Sequence, residues 1–162
     1  MKWFSHKIIT GITVYCISGD PFGAVISALG SIIPDKIEGQ DYKNFNRQTH
    51  RKISHWFILY AVPMLGFFLY ICCKKGKIPY LPNLYPSFLS NQALLISTAF
   101  FYFLLGCIFH LIEDSITGKI PLLNPHKKEF GIRLIKVGSL LEYATTGVIM
   151  VGFLLWLKLT YR

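Results

Sequence analysis

The sequence has few charged residues, and this scarcity decides its broad class. Asp, Glu, Lys and Arg together make up 15% of the 162 residues, whereas soluble domains average about 25%. Hydrophobic residues make up 52%, and the mean hydropathy is +0.44. The composition excludes a disordered chain, a coiled coil and a collagen-like fibre, and it argues against a soluble globular enzyme. We expect residues 1–162 to form a single integral membrane domain.

Cysteine and processing motifs are also scarce. The four cysteines all lie in or at the ends of apolar segments, which indicates buried, reduced side chains. The first apolar segment is not followed by a small-x-small cleavage site, and this argues against a signal peptide. The sequence contains no internal repeat and no low-complexity tract.

Three apolar runs are long enough to cross a bilayer. They are Ile53–Cys73, Gln92–Ile112 and Val137–Leu157, with 21 residues each; as helices they would cover roughly 30 Å. A fourth run, Ile8–Ile33, is divided by Gly19-Asp20-Pro21 into halves that are each too short to cross alone. The sequence therefore predicts an all-α, polytopic membrane helical bundle. It has three full spans plus an N-terminal short-helix hairpin or a single bent span.

The distribution of basic residues favours the hairpin. With a hairpin, twelve of the 17 Lys and Arg residues share one side of the membrane: Lys2, Lys7, Lys36, Lys43, Arg47, Arg51, Lys52, Lys119, Lys127, Lys128, Arg133 and Lys136. With a single bent span the split is only ten to seven. The basic side is expected to be cytoplasmic in a bacterial inner-membrane protein. Because the basic residues lie in short stretches between apolar runs, we expect anionic lipid headgroups as partners and no nucleic acid.

Six potential metal ligands fall at one membrane boundary under the hairpin topology. They are His6, Asp35, His50, His55, His110 and Asp114. The last two are four residues apart, so they share one helix face and can reach one ion. Imidazole and carboxylate ligands suit zinc, manganese or iron better than calcium, and six are more than one tetrahedral ion needs. The sequence therefore predicts one or two divalent ions, with zinc first. Single residues of the set would otherwise be interfacial anchors or helix caps.

The same residues carry a family resemblance. The matching pieces occur in order along nearly the whole chain: Ser5-His6, Gly30-Ser31-Ile32-Ile33-Pro34-Asp35, His50-Arg51-Lys52-Ile53-Ser54-His55, His110-Leu111-Ile112-Glu113-Asp114 with Thr117, Ile120-Pro121-Leu122-Leu123-Asn124-Pro125, and Gly138-Ser139 with Glu142. This set resembles the YdjM-like family of membrane-bound metal-dependent hydrolases, also described as LexA-binding, inner-membrane-associated hydrolase-like proteins. The family pattern has Thr in place of Ser5 and Ser54, and it often has a further acid after Pro-Asp, where this chain offers Glu38.

The resemblance implies a metal-dependent hydrolase that uses these ligands. The arrangement is similar to the helical His- and Asp-rich centres of zinc-dependent phospholipases C, which by analogy suggests phosphoester hydrolysis at a lipid headgroup. We therefore expect metal-activated water to cleave a membrane lipid or a lipid-linked phosphate at the membrane interface.

Specific roles can be assigned to a few residues. Asp114, Asp35 or Glu142 would act as general base or orient a ligand imidazole. Arg51 would clamp a phosphate or, alternatively, extend to lipid headgroups. Two alternatives stay open: a divalent-metal or proton-coupled membrane transport protein, and a non-catalytic membrane adaptor with a structural metal. The oligomeric state is not predicted.

Overall fold

The computed structural model describes residues 1–38, 53–75, 91–127 and 130–160. These residues form, in chain order, α1 (Trp3–Ser18), α2 (Pro21–Gly30), α3 (Ile33–Ile37), a 3-10 turn (Ile53–His55), α4 (Phe57–Lys75), α5 (Gln92–Thr117) and α6 (Leu140–Thr160). Helices α4, α5 and α6 are long and apolar enough to cross a membrane by length and composition. The predicted all-α bundle with three spans is therefore confirmed.

The long helices begin and end at different residues from the apolar runs identified in the sequence. The 3-10 turn precedes α4, so His55 lies before the first long helix and not inside it. Helix α5 continues to Thr117, which places Asp114 within the helix. Gly138 adopts a positive φ of 73° and forms a turn, so α6 begins only at Leu140 and Glu142 falls in its first turn. Hydropathy does not register a turn of this kind, because its residues are uncharged.

The N-terminal segment forms a helical hairpin and not a single bent span. Gly19 ends α1 in the left-handed conformation, with φ of 64°, which glycine adopts without steric cost. The Asp20 side chain then accepts a hydrogen bond from the Phe22 N–H at 2.9 Å and caps α2. At the start of α1, Trp3 Nε1 donates to Asp35 Oδ2 at 3.1 Å. Both open ends of the hairpin therefore lie at the same end of the bundle.

Helix α2 approaches α5 closely enough for the two backbones to touch. A Cβ atom built on Gly30 would collide with the Phe103 carbonyl, and one built on Gly106 would collide with the Ser27 backbone. Ser27 Oγ also donates to the Tyr102 carbonyl at 2.8 Å. Contact through small residues is a common means of helix association in membranes. It sets the position of α5 relative to the hairpin, and thereby the position of the side chains one turn further along.

The other two long helices, α4 and α6, flank the hairpin and α5. Helix α4 packs on α5 through a buried apolar cluster that consists of Tyr60, Cys107, Ile108, Leu111 and Ile120. Helix α6 contacts α1, for example through the rings of Tyr15 and Phe153, whose centroids are 5.6 Å apart. Large apolar side chains on the outer faces of α4 and α6 are exposed. This is the arrangement expected when lipid covers those faces.

Candidate metal centre

Four buried ligand side chains meet where α3, the 3-10 turn and α5 come together. Asp35, His55, His110 and Asp114 each offer one ligand atom, and these atoms all lie within 4.8 Å of one another. The exposed fraction of Asp35 is 3%, that of Asp114 is 1%, and both histidines are fully buried. The fold thus gathers four of the six predicted metal ligands into one group, here called the ligand cluster.

The spacing within the ligand cluster matches a small tetrahedral ion. The two histidine Nε2 atoms, of His55 and His110, are 3.2 Å apart. His55 Nε2 lies 3.4 Å from Asp35 Oδ1 and 3.4 Å from Asp114 Oδ2. His110 Nε2 lies 3.5 Å and 3.8 Å from the same two oxygens. Ligands held 2.0–2.2 Å from a tetrahedral zinc ion are separated by about 3.3–3.6 Å. The residues present therefore fit an ion of this size.

Outer hydrogen bonds fix the orientation of two of the ligands. Trp3 Nε1 donates to Asp35 Oδ2 at 3.1 Å, which leaves Oδ1 facing the histidines. Ser54 Oγ lies 2.9 Å from His55 Nδ1 and also donates to Glu38 Oε1 at 3.3 Å. With Nδ1 engaged in this way, His55 presents Nε2 to the cluster. Such outer partners are typical of protein metal sites, where they set the tautomer and rotation of the ligand.

His6 adjoins the ligand cluster from α1. Its Nδ1 is 2.5 Å from Glu113 Oε2, and Thr10 Oγ1 donates to the other oxygen of Glu113 at 2.9 Å. Its Nε2 lies 3.4 Å from Asp114 Oδ1 but makes no hydrogen bond within the described residues. The His6 and His110 ring centroids are 4.0 Å apart. The fifth predicted ligand therefore sits beside the cluster, on the far side of Asp114.

The electrostatics of the group favour a positive charge among its carboxylates. Burial alone would raise the pKa of the Asp35 carboxyl, but hydrogen bonds from His110 and His55 hold that pKa well below its usual range. Burial alone would lower the pKa of His55, but hydrogen bonds to Asp114 and Asp35 outweigh it and raise that pKa. The carboxylates thus remain ionised and stabilise any cation placed between them, whether imidazolium or metal ion.

Three predicted site residues remain: His50, Arg51 and Glu142. His50 and Arg51 lie outside the described residues. Glu142 is fully buried, and its two oxygens accept hydrogen bonds from the backbone N–H groups of Lys2 at 2.6 Å and Gly138 at 2.8 Å. These contacts join α6 to the start of α1. The catalytic role of Glu142 stays a prediction.

Sequence reasoning missed the residues that orient the ligands. Glu113 lies just beyond the apolar run Gln92–Ile112 and was not among the predicted ligands, yet it is part of α5 and holds His6. Two features could have identified it: Glu113 is three residues after His110, and Thr10 is one turn after His6 on α1. The contact of Trp3 with Asp35 depends on how distant segments meet, so no local pattern indicates it, whereas Ser54 is the chain neighbour of the ligand that it orients, His55.

The fold and the cluster together define a polytopic helical membrane protein with a buried histidine–aspartate site near one end of its central helix. The model of the YdjM inner membrane protein family matches residues 1–161. The chain belongs to this family, and the resemblance inferred from its motifs is confirmed. Comparison with curated proteins and with solved structures gives no match.

Proposed function

We propose that this protein is a membrane-bound, metal-dependent hydrolase. Its substrate is a phosphoester of a lipid or a lipid-linked molecule, and its site faces the cytoplasmic side of the inner membrane. The observation that carries the proposal is the ligand cluster: four buried ligand atoms from three separate segments lie within 4.8 Å of one another. Burying two carboxylates in apolar surroundings is costly unless a positive charge compensates them. A divalent ion bound by neutral imidazoles provides that charge.

The donor set favours a transition metal. Asp35, His55, His110 and Asp114 would hold the ion, and this mixture of nitrogen and oxygen ligands suits zinc, with manganese or iron as alternatives. A divalent ion bound there supplies Lewis acidity to a phosphoryl oxygen and lowers the pKa of a water molecule.

The protein's own residues orient these groups and restrict access to them. Trp3 and Ser54 hold the outer atoms of Asp35 and His55. Leu111 is fully buried in the apolar cluster of α4 and α5, which keeps bulk water from that side. For proton transfer we retain the predicted role of Asp114 as general base or orienting group, and for phosphate binding that of Arg51.

The depth of the cluster supports a lipid substrate over transport. Helix α5 has 26 residues and is therefore about 39 Å long. Asp114 lies three residues before its end, at Thr117, and is thus only about 5 Å from that end. Transport sites lie near the bilayer midplane, whereas a site near a helix end is within reach of a lipid phosphate. The distribution of basic residues along the sequence supports a cytoplasmic location for this end of the bundle.

Metal content is the first test. Detergent-purified protein is subjected to elemental analysis as wild type and as the variants His110→Ala and Asp114→Ala. His126→Ala is the matched control, because His126 is exposed in a loop. We expect near-stoichiometric zinc, manganese or iron in wild type and control, and a loss in both cluster variants. A metal-free wild type that cannot be reloaded, with both variants folded, would refute the proposal.

Hydrolysis is tested next on the metal-loaded protein. Phospholipid and polyprenyl-phosphate substrates are presented in mixed micelles, and released phosphate or phosphorylated headgroup is measured. We expect activity that Asp114→Ala abolishes and His126→Ala preserves. Stoichiometric metal without hydrolysis of any lipid phosphoester, together with unfolding of both cluster variants, would instead favour the adaptor with a structural metal.

A further inference from the structure

The tip of the hairpin contains a second group of buried polar side chains. It consists of Ser18, Asp20, Thr98 and Tyr102, here called the tip cluster, and each of the four is at most 2% exposed. Along α5, Thr98 lies about 24 Å before Asp114. The tip cluster is therefore separate from the ligand cluster, and the proposed metal centre uses none of its residues.

The tip cluster lies within the hydrocarbon region of the bilayer. Helix α5 is about 39 Å long, and the hydrocarbon core is about 30 Å thick. A centred helix would extend only about 5 Å beyond the core at each end, whereas Thr98 is about 9 Å from the start of α5 at Gln92. Ionisable side chains at such a depth commonly mark ion or substrate sites.

Asp20 brings a carboxylate to this depth with only one of its oxygens bonded. Oδ1 accepts a hydrogen bond from the Phe22 N–H at 2.9 Å, which is the contact of a helix cap. Oδ2 is buried and makes no hydrogen bond within the described residues. None of the described Lys, Arg or His side chains forms an ion pair with this carboxylate. A buried, unpaired carboxylate oxygen is costly unless a cation or a donor faces it.

Two hydroxyl groups reach the tip from α5. The Tyr102 ring lies on Gly23, where an added Cβ would collide with the ring carbon that bears the hydroxyl. This hydroxyl is close enough to Asp20 and Ser18 to interact with both, but it meets neither with the geometry of a hydrogen bond. Thr98 is four residues before Tyr102 and shares its helix face. Its Oγ1 is also buried without a hydrogen bond in the described part of the chain.

We propose that the tip cluster binds one monovalent alkali cation, with Asp20 Oδ2 as the charged ligand and the hydroxyl oxygens of Thr98 and Tyr102 as neutral ligands. Ligands that are all oxygen atoms suit hard cations. One carboxylate balances one positive charge, so a monovalent ion leaves the buried site neutral and a divalent ion does not. The bound ion would join the hairpin to α5.

The helix ends at the tip also favour a cation. Helix α1 ends at Ser18, so the negative end of its dipole lies beside the carboxylate. Sodium sites in discontinuous membrane helices combine the C-terminal end of a half-helix with oxygen ligands in the same way. The hairpin provides such a discontinuity, because Gly19 and Asp20 separate α1 from α2 inside the membrane.

The competing interpretation is a protonated Asp20 that needs no cation. Because Oδ1 accepts the hydrogen bond from Phe22, the proton would be on Oδ2, where it requires an acceptor. Oδ2 has no acceptor at hydrogen-bond geometry among the described residues. A proton on Oδ2 would therefore lack a partner, whereas a cation there gains three oxygen ligands.

Direct binding tests the proposal on the full chain. Protein purified in detergent is equilibrated in choline chloride with radioactive sodium or with rubidium as a substitute for potassium, and bound ion per chain is measured. We expect one ion in wild type, displaced by excess unlabelled salt, and none in Asp20→Asn. Asparagine preserves the helix cap. Absence of both ions from wild type, or binding that survives in Asp20→Asn, would overturn the proposal.

A second variant tests a neutral ligand. Tyr102→Phe removes one ligand oxygen and keeps the ring on Gly23, so we expect weaker binding of the cation. Tyr143→Phe is the matched control, because Tyr143 is on α6 and is 46% exposed, and its affinity should equal that of wild type. Equal affinities in the two variants would contradict the assignment of Tyr102 as a ligand.

Thermal unfolding of the wild type guards against a variant that does not fold. The Tm should be higher in NaCl or KCl than in choline chloride of the same ionic strength, because the cation binds only the folded state. Equal Tm values in all three salts would favour the protonated carboxyl and refute the cation site. Zinc content should be the same in wild type and Asp20→Asn, so a failure of the proposed metal centre is recognised separately.

Discussion

The close approach of α2 and α5 offers a test of how the ligand cluster is held in place. We consider Gly106→Ala, which adds one methyl group where the two backbones touch. The new Cβ would lie 2.7 Å from the Ser27 carbonyl carbon and 2.9 Å from Ser27 Cα, whereas ordinary contacts are 3.4–4 Å. Because the Ser27 carbonyl oxygen would lie closer still and backbone atoms cannot rotate away, the helices must separate by more than about 0.7 Å. Gly66→Ala on α4 is the matched control, since a Cβ there meets nothing within 4 Å.

Two opposing effects determine how much Gly106→Ala changes the free energy of unfolding. Overpacking of this kind costs about 1–3 kcal/mol of the free energy of unfolding. Replacing glycine by alanine inside a helix contributes about 1 kcal/mol in the other direction, and the control variant shows that gain alone. We therefore expect Gly106→Ala to be about 2 kcal/mol less stable than Gly66→Ala, which corresponds to a Tm gap of roughly 4–8 °C.

The same displacement should weaken metal binding. His110 lies one turn beyond Gly106, and metal ligands tolerate displacements of only about 0.5 Å. We expect the affinity for zinc, measured by competition with a chromophoric chelator in detergent, to fall about tenfold in Gly106→Ala. The affinity of Gly66→Ala should equal that of wild type. Equal Tm values and equal zinc affinities in the two variants would refute the argument that the backbone contact positions the ligands.

Three further predictions concern the cluster and its surroundings. Removing metal with a chelator should lower Tm, because an ion present at a hundred times its Kd stabilises the folded state by about 2.7 kcal/mol; adding zinc back should restore it. Trp3→Phe removes the donor to Asp35 and should weaken zinc binding about 10- to 100-fold, while Trp156→Phe on α6 should leave it unchanged. Glu142→Gln removes a charged acceptor of two backbone hydrogen bonds and should lower the free energy of unfolding by about 1–3 kcal/mol with metal content retained.

Each of these three predictions would be contradicted by one specific result. A Tm that is insensitive to chelator in a protein shown to contain metal would mean that the ion does not contribute to the fold. Equal zinc affinity in both tryptophan variants would show that the Trp3 hydrogen bond does not orient Asp35. Unchanged stability in Glu142→Gln, with hydrolysis abolished, would support the catalytic role predicted from the sequence over the positional role that the contacts indicate.

The helices and the hairpin could be predicted because their determinants are local. An apolar run of 21 residues needs no partner to be recognised as a span, and Gly19 with Asp20 interrupts a helix wherever it lies. The start of α6 could not be placed, since it depends on the turn at Gly138. His50 and Arg51 lie outside the described residues, so the structure does not test the predictions about them.

The convergence of candidate ligands followed from topology, but their pairing did not. Once a hairpin is assumed, His6, Asp35, His55 and Asp114 must lie at one end of the bundle. The contact between His6 and Glu113 depends in addition on the rotation of α1 about its own axis relative to α5. Tertiary contacts decide this rotation, and the backbone contacts of Gly30 and Gly106 set only how α2 packs on α5. No pattern within one segment encodes it.

The order of the cluster residues along the chain has a consequence for biosynthesis. Asp35 and His55, with the adjoining His6, are synthesised well before His110 and Asp114, which arrive with the central helix. Until α5 has entered the membrane, Gly30 of the hairpin has no helix to pack against. His6 likewise has neither of its carboxylate neighbours, Glu113 and Asp114. Nascent chains that stop short of residue 114 therefore lack a complete binding site. If the proposed centre binds metal, its loading would therefore follow the membrane insertion of the first two spans.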